Sequence, residues 1–232
     1  MKRSFVLSAL TVLSMGSAHA SLIFGTNAIL NPGAESGLAN WTFVLGTNSP
    51  EAIAYGTSGF PTASDPGPAS RGLNFFAGGP DNDFSGLEQT LDVSNVAALI
   101  DAGLVTYKIS GWQGGKDAQP ANAALGVSMY DAGSNFLFSN GTNYNNSAAD
   151  RGNVTGLFFR PGPDGLILPG TRKLVFQLLF MQGADASDHY SDAYIDNVSF
   201  VATAAVPEPG SFAFLGGGLS ILGILVRKAR RS

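Results

Sequence analysis

The sequence predicts an all-β domain, a β-sandwich of jelly-roll type, and three observations carry that reading. Short apolar segments alternate with turn-forming residues throughout the chain, which holds 30 Gly and 12 Pro in 232 residues. Val105-Thr106-Tyr107-Lys108-Ile109-Ser110 alternates apolar and polar side chains, the period of a strand with one buried face. Helical patterning is confined to Val96–Asp101, where Ser94 is a candidate N-cap and Gly103 a terminator. Many strands with almost no helix favour two packed sheets.

Taken in order, strands are expected near Leu22–Leu30, Trp41–Leu45, Gly72–Phe76, Leu87–Val93, Val105–Ser110, Ala123–Tyr130, Val154–Phe159, Lys173–Phe180 and Ala193–Ala202. Gly, Pro and Ser between Gly56 and Ser70, and Asn, Ser and Gly between Ser139 and Ala148, mark surface loops. In the last strand Tyr194, Val198 and Phe200 share one parity, which puts Asp196 on the same, nominally inward, side. An inward carboxylate must be paired, hydrogen-bonded or metal-bound.

Both ends of the chain are set apart from this domain. Met1-Lys2-Arg3, an apolar stretch from Phe5 to Leu13, and Ala18-His19-Ala20 have the three parts of a secretion signal, with cleavage by signal peptidase expected after Ala20. At the other end, residues 203–211 read as a linker containing Pro207-Glu208-Pro209. The uncharged stretch 212–226 reads as a transmembrane segment and 227–232 as a basic cytoplasmic tail. Fifteen helical residues reach only ~23 Å, so a span is marginal against a ~30 Å hydrocarbon core. Pro207-Glu208-Pro209, the apolar stretch and the terminal Arg/Lys cluster closely resemble the PEP-CTERM sorting signal of Gram-negative bacteria. That resemblance implies an exported protein, held in the membrane as a precursor, processed by an exosortase, and placed at the cell surface or in extracellular matrix.

Composition narrows the chemistry. Six of the 13 Lys/Arg and one of the 17 Asp/Glu lie outside residues 21–206, which leaves seven against 16 and a formal charge of −9. Such a surface argues against nucleic acid as partner. With no Cys, thiolate metal sites and thiol nucleophiles are excluded. The chain has two His, and His19 lies in the secretion signal, leaving His189 in the domain. No nucleophile elbow or triad pattern is present, so the domain is read as non-catalytic.

Residues 21–202 also resemble a galactose-binding-like, carbohydrate-module-like jelly-roll family. The match runs through Leu30-Asn31-Pro32-Gly33-Ala34-Glu35-Ser36-Gly37 and Trp41, Asp92-Val93-Ser94, and Ser110-Gly111-Trp112-Gln113-Gly114-Gly115. It ends on Pro169-Gly170-Thr171-Arg172 and Tyr194-Ile195-Asp196-Asn197-Val198-Ser199-Phe200. Related modules carry an aromatic residue where this chain has Ala34. The resemblance implies a structural calcium ion held by Glu35 and Asp196, joining the first and last strands. The alternative is that Asp196 accepts hydrogen bonds from turn amides while Glu35 faces solvent. Calcium needs six to eight oxygens, so two carboxylates would require carbonyls or water besides.

Asp81-Asn82-Asp83 has oxygen-donor spacing but lacks the rest of a calcium loop, and reads as a turn. Asp185, Asp188 and Asp192 surround His189 in an acidic segment. For a glycan ligand, aromatic faces and amide groups are the expected contacts. Trp112, Gln113, Tyr144 and Tyr190 are the candidates on strand ends and loops. Two functions follow: association with extracellular polysaccharide, or a structural surface or biofilm protein without a discrete ligand.

Overall fold

A computed structural model describes residues 21–142, 147–182 and 189–205. Among the described residues, eleven strands form two antiparallel sheets. They are β1 (Thr42–Leu45), β2 (Glu51–Ala54), β3 (Asn74–Pro80), β4 (Phe84–Asp92), β5 (Val105–Gly115), β6 (Asn122–Tyr130), β7 (Phe136–Gly141), β8 (Gly156–Pro161), β9 (Gly165–Leu166), β10 (Lys173–Met181) and β11 (Tyr190–Ala204). The five-stranded sheet runs β1-β4-β10-β6-β7 and the six-stranded path β2-β3-β11-β5-β8 with β9 on β5. Successive strands from β3 to β6 alternate between the sheets, as the jelly-roll expectation requires. A single turn of 3-10 helix (Ser94–Val96) leads into α1 (Ala97–Asp101), whose N-cap is Val96 and not Ser94.

The core lies between the sheets because each strand alternates its side chains. Leu174, Phe176, Leu178 and Phe180 of β10, with Leu125 and Val127 of β6, face Phe76, Tyr107, Ile109, Ile195 and Phe200 of the opposite sheet. Phe200 stacks on Tyr107 at 4.9 Å and meets Phe176 at 5.0 Å between ring centroids. Each such fully buried side chain is worth ~1.5–3 kcal/mol of transfer free energy. Trp41 is also core, edge-on to Phe76, and its indole N–H donates to the Asn31 carbonyl at 3.1 Å.

The parity expected of β11 does not hold along its whole length. A bulge between Asp196 and Ser199, with Asn197 in the left-handed region at φ 44°, inserts an extra residue against β5. Ala193 and Ile195 face the core before it, and Val198, Phe200 and Ala202 after it. Tyr194 and Asp196 therefore turn to the outer face of the six-stranded sheet. They are still buried, because the segment from Tyr55 to Leu73 covers that face. Phe75, Ala77, Leu157 and Tyr194 form a second apolar cluster there with Tyr55, Phe60, Trp112 and Tyr190 packed against it. Arg71 fastens the cover by donating to the carbonyls of Thr62, Asp65 and Pro68 at 3.0–3.1 Å.

Several boundaries also move. Leu22–Leu30 is not a strand; it joins the sheets through isolated bridges, Ser21 to Asp92 and Asn27 to Val201. β11 continues to Ala204, two residues into the expected linker. The transmembrane segment expected at 212–226, and the membrane-held precursor and membrane contact that depended on it, are not upheld. No helix among the described residues is long and apolar enough to cross a membrane. Residues 212–226 lie outside the described residues, as do 1–20 and Pro207-Glu208-Pro209. Their ~23 Å helical reach was already below a bilayer core.

Close approach of β5 to β8 gives a test of this packing. A Cβ on Gly114 would overlap the Gly156 carbonyl and stand 2.8 Å from Leu157 Cα, both backbone. On Gly126 of β6 it would meet only ordinary contacts, 3.6 Å or more away. Gly114→Ala is expected to cost about 1–3 kcal/mol or more in urea unfolding, and Gly126→Ala clearly less. Equal costs would contradict the β5–β8 register.

Candidate functional site

The five-stranded sheet presents an outer face assembled by strand register. Thr42, Glu88, Gln177, Gly126 and Gly141 form one cross-strand row, directly opposite one another along β1, β4, β10, β6 and β7. Thr90, Val175, Ser128 and Ser139 form the next. Because β10 buries its even-numbered apolar residues, Gln177 is turned outward with Val175 and Leu179. The small residues of β6 and β7 lower the surface beside it. The result is a groove of about 340 Å³ floored by Gly126, Ser128 and Gly141 and bordered by Ser139, Gln177 and Leu179.

Polar groups in this groove are held in place. Gln177 donates from Nε2 to Glu88 Oε1 at 2.6 Å, which fixes its amide and leaves Oε1 turned toward Ser128 Oγ, 3.5 Å away. Asn140 donates to the buried Tyr107 hydroxyl at 3.0 Å. None of the ten residues lining the groove is acidic or basic; Glu88 flanks it as a carboxylate. An aromatic pair closes one end of the face, where Tyr130 and Phe136 meet edge to face at 5.9 Å with the Lys173 ammonium 4.9 Å from the Tyr130 ring. The sheet thus offers hydroxyl, amide and carboxylate groups along an open shallow channel, the donor and acceptor set that a polyol demands.

A second polar site lies beneath the Tyr55–Leu73 cover. Asp196 is fully buried, with Oδ2 accepting from the Tyr55 hydroxyl at 2.7 Å and Oδ1 from the Asn197 N–H at 2.6 Å. Burial pushes its carboxyl up to about 7, against lowering by those two hydrogen bonds. The Glu35 charge adds to the rise, so the two carboxylates lie within electrostatic reach of each other. Burial and the Asp196 charge together raise the Tyr55 hydroxyl far out of its ordinary range, so it stays a neutral donor. Glu35 accepts from the amides of Leu73 and Asn74 at 2.9 Å and so anchors the end of the cover. Gly33 passes so close to Asp196 that a Cβ would stand 2.8 Å from Oδ1. A calcium ion at Asp196 and Glu35 would meet a buried carboxyl whose two oxygens already accept hydrogen bonds from Tyr55 and Asn197. Its shell would have to be completed by carbonyls or water, since no group of three or more His, Cys, Asp or Glu suited to a metal exists among the described residues.

Of the residues singled out for glycan contact, Trp112 and Tyr190 both pack against the second apolar cluster, and Gln113 is set apart from them. Trp112 lies on the outer face of β5, packed on the half-exposed Phe159 at 5.8 Å. Gln113, its neighbour, alternates to the opposite face, is fully buried, and donates to the Thr142 hydroxyl. It has no route to a surface ligand, because adjacent strand residues point to opposite sides. Tyr190 lies in the second apolar cluster, with its hydroxyl donating to Glu51 at 2.8 Å. Tyr144 lies outside the described residues. Asp81-Asn82-Asp83 is the β3–β4 turn, where buried Asn82 accepts from the amides of Thr47 and Asn48. His189 lines a neighbouring groove, and Asp185 and Asp188 lie outside the described residues. Glu88 and Gln177 escaped the sequence reading, although a Gln inside the apolar run Lys173–Met181 marks the outward phase of β10.

Comparison with known proteins adds two findings. Residues 205–231 match the PEP-CTERM protein-sorting motif. No curated protein matches the chain. Among solved structures, the enzymatically active domain of bacteriophage CBA120 tailspike protein 4 is similar at 14% identity and TM-score 0.51. The likeness covers 76% of this chain and 21% of that one, so the chain spans about a fifth of the tailspike's length, and it is a likeness of fold. TmCBM61 in complex with β-1,4-galactotriose is 16% identical at TM-score 0.44, over 78% of this chain and all of that one. The C-terminal family 22 carbohydrate-binding module of Clostridium thermocellum Xyn10B is 13% identical at TM-score 0.40, over 82% of this chain and all of that one. The chain therefore carries a PEP-CTERM protein-sorting motif at residues 205–231 beside a β-sandwich domain similar in fold to the tailspike domain.

Proposed function

We propose that this is an exported, surface-sorted protein whose domain associates with extracellular polysaccharide along the groove of the five-stranded sheet. The observation that supports this most is the row Glu88–Gln177–Gly126–Gly141, in which fixed polar groups border a floor without side chains. A polysaccharide strand needs such a channel, because each sugar offers hydroxyls at its rim and C–H surface on its faces. The reading is one of binding, since the groove is lined by hydroxyl, amide and small or apolar side chains.

Gly126 makes this directly testable. Its position accepts a Cβ without backbone overlap, so Gly126→Leu should fold while filling the channel. Affinity electrophoresis against a panel of polysaccharides should show retardation of the native chain, and at least ten-fold weaker binding by Gly126→Leu with an unchanged melting temperature. Native binding undiminished in Gly126→Leu would remove the groove from consideration. Absence of binding to every polysaccharide would favour the purely structural surface role.

We also propose that calcium occupies the pocket between Glu35 and Asp196 and ties the Asn31–Glu35 turn to the closing strand. The buried Asp196 carboxyl supports this reading, and the sign of its pH dependence separates it from a plain hydrogen-bond acceptor. Without metal, a folded value of about 7 against ~3.9 in the unfolded chain favours the protonated form. That contribution is complete below ~pH 4 and lost as pH rises through 7, by up to roughly 4 kcal/mol from a shift of about three units. In chelator at pH 8, Asp196→Asn should therefore be as stable as the native chain or more so. With millimolar calcium at the same pH the order should reverse, the native chain being the more stable. Denaturant melts check both; an Asp196→Asn cost that is identical with calcium and with chelator would exclude the metal.

A further inference from the structure

We propose that the groove selects neutral polysaccharide over polymers carrying carboxylate or sulfate groups. This rests on the glycan-binding reading and specifies its ligand class. The polar group fixed at its edge is a carboxylate, Glu88, held at 2.6 Å by the Gln177 amide and directly opposite it across β4 and β10. A sugar hydroxyl can donate to that carboxylate, whereas a uronate or sulfate brings a second negative charge against it without a proton to share.

No cation is positioned to offset this. None of the ten residues lining the groove is Lys or Arg. Lys173 is the basic residue on the same face of β10, but it stands four residues from Gln177, about 13 Å at ~3.3 Å per residue. That exceeds the ~8 Å screening length at physiological salt. Its ammonium is already placed over the Tyr130 ring and 3.2 Å from Ser134 Oγ. The other cations of the domain are engaged elsewhere: Lys108 with Asp164, Lys116 with Asp192, Arg172 with Asp101, and Arg160 over the Phe158 ring of β8. Arg71 and Arg151 hold backbone carbonyls beneath loops. With a formal charge of −9 over residues 21–206, the long-range field acts in the same direction as the local one. An anion-binding protein would need Arg or Lys in bidentate or clustered reach, and the five-stranded face offers neither at its centre.

The test uses the native chain, Glu88→Gln and Gly126→Leu in affinity electrophoresis at low and high salt. Neutral probes are dextran, galactan and xylan; anionic probes are alginate, polygalacturonate and a sulfated dextran. The native chain should bind at least one neutral polymer and bind every anionic one at least ten-fold more weakly, the gap narrowing as salt rises. In Glu88→Gln the ratio of anionic to neutral affinity should rise at least ten-fold, because the local charge is gone while an amide still faces Gln177. Equal or stronger native binding to an anionic polymer overturns the proposal, as does an unchanged ratio in Glu88→Gln. Neutral binding that survives in Gly126→Leu places the contact outside the groove and overturns the assignment to Glu88. Retardation by none of the six polymers overturns the glycan-binding reading itself, and the selectivity with it.

Discussion

The structure depends on the bulge in β11. Like β3, which alternates Phe75 and Ala77 with Phe76, this strand serves both cores, but its inward face changes parity at the bulge. With Asn197 in the left-handed region, Ile195 and Phe200 both reach the space between the sheets, while Tyr194 and Asp196 are released to the other side. Much else attaches at this point. The Val198 N–H donates to Pro32 and the Asn27 amide to the Val198 carbonyl, so the segment from Asn27 to Pro32 is sewn to the closing strand. From the other side, Asn197 reaches the Ser70 carbonyl and Tyr55 reaches Asp196. A single inserted residue therefore sets the seat of both the N-terminal turn and the Tyr55–Leu73 cover.

Most of the strand pattern was legible because period-2 burial is local information. Lys173–Phe180 and Ala123–Tyr130 read as strands because they are short apolar runs between turn residues, and each falls within a residue of the strands at the centre of the five-stranded sheet. Two edge strands, Glu51–Ala54 and Phe136–Gly141, were missed because edges bury little, and Phe136 and Phe138 remain largely exposed. Leu22–Leu30 looked like a strand because it is apolar, yet it contributes core side chains such as Leu22 and Ile29 with only isolated bridges. Parity failed at Asp196 for a different reason. An extra residue is invisible to a pattern count, so Asp196 is buried beneath the Tyr55–Leu73 cover and not on the inward side that parity gave.

The site was less legible than the fold. Aromatic residues attracted attention as glycan contacts, but Tyr190 and Trp112 pack against a second apolar cluster. A groove built by register gathers Glu88, Gln177, Gly126 and Gly141 from four strands, and nothing in one strand announces its neighbours. What the sequence does carry is the outward phase of each strand: Gln177 among Leu and Phe, and Gly126 and Ser128 between Leu125, Val127 and Met129. Small residues at that phase are otherwise unexplained, since they contribute nothing to either core. The sorting motif at residues 205–231 sets the setting for this face, and the face itself sets the chemistry.

Backbone amide shift mapping locates the ligand contact without relying on substitutions. With a neutral oligosaccharide from whichever polymer the native chain retains, the resonances of Gln177, Gly126, Ser128 and Gly141 should move together and saturate with one affinity. Glu88 should follow through its hydrogen bond to Gln177. Shifts clustered instead around Trp112 and Phe159 on the opposite sheet, with the five-stranded face silent, would contradict the groove as the site of polysaccharide binding.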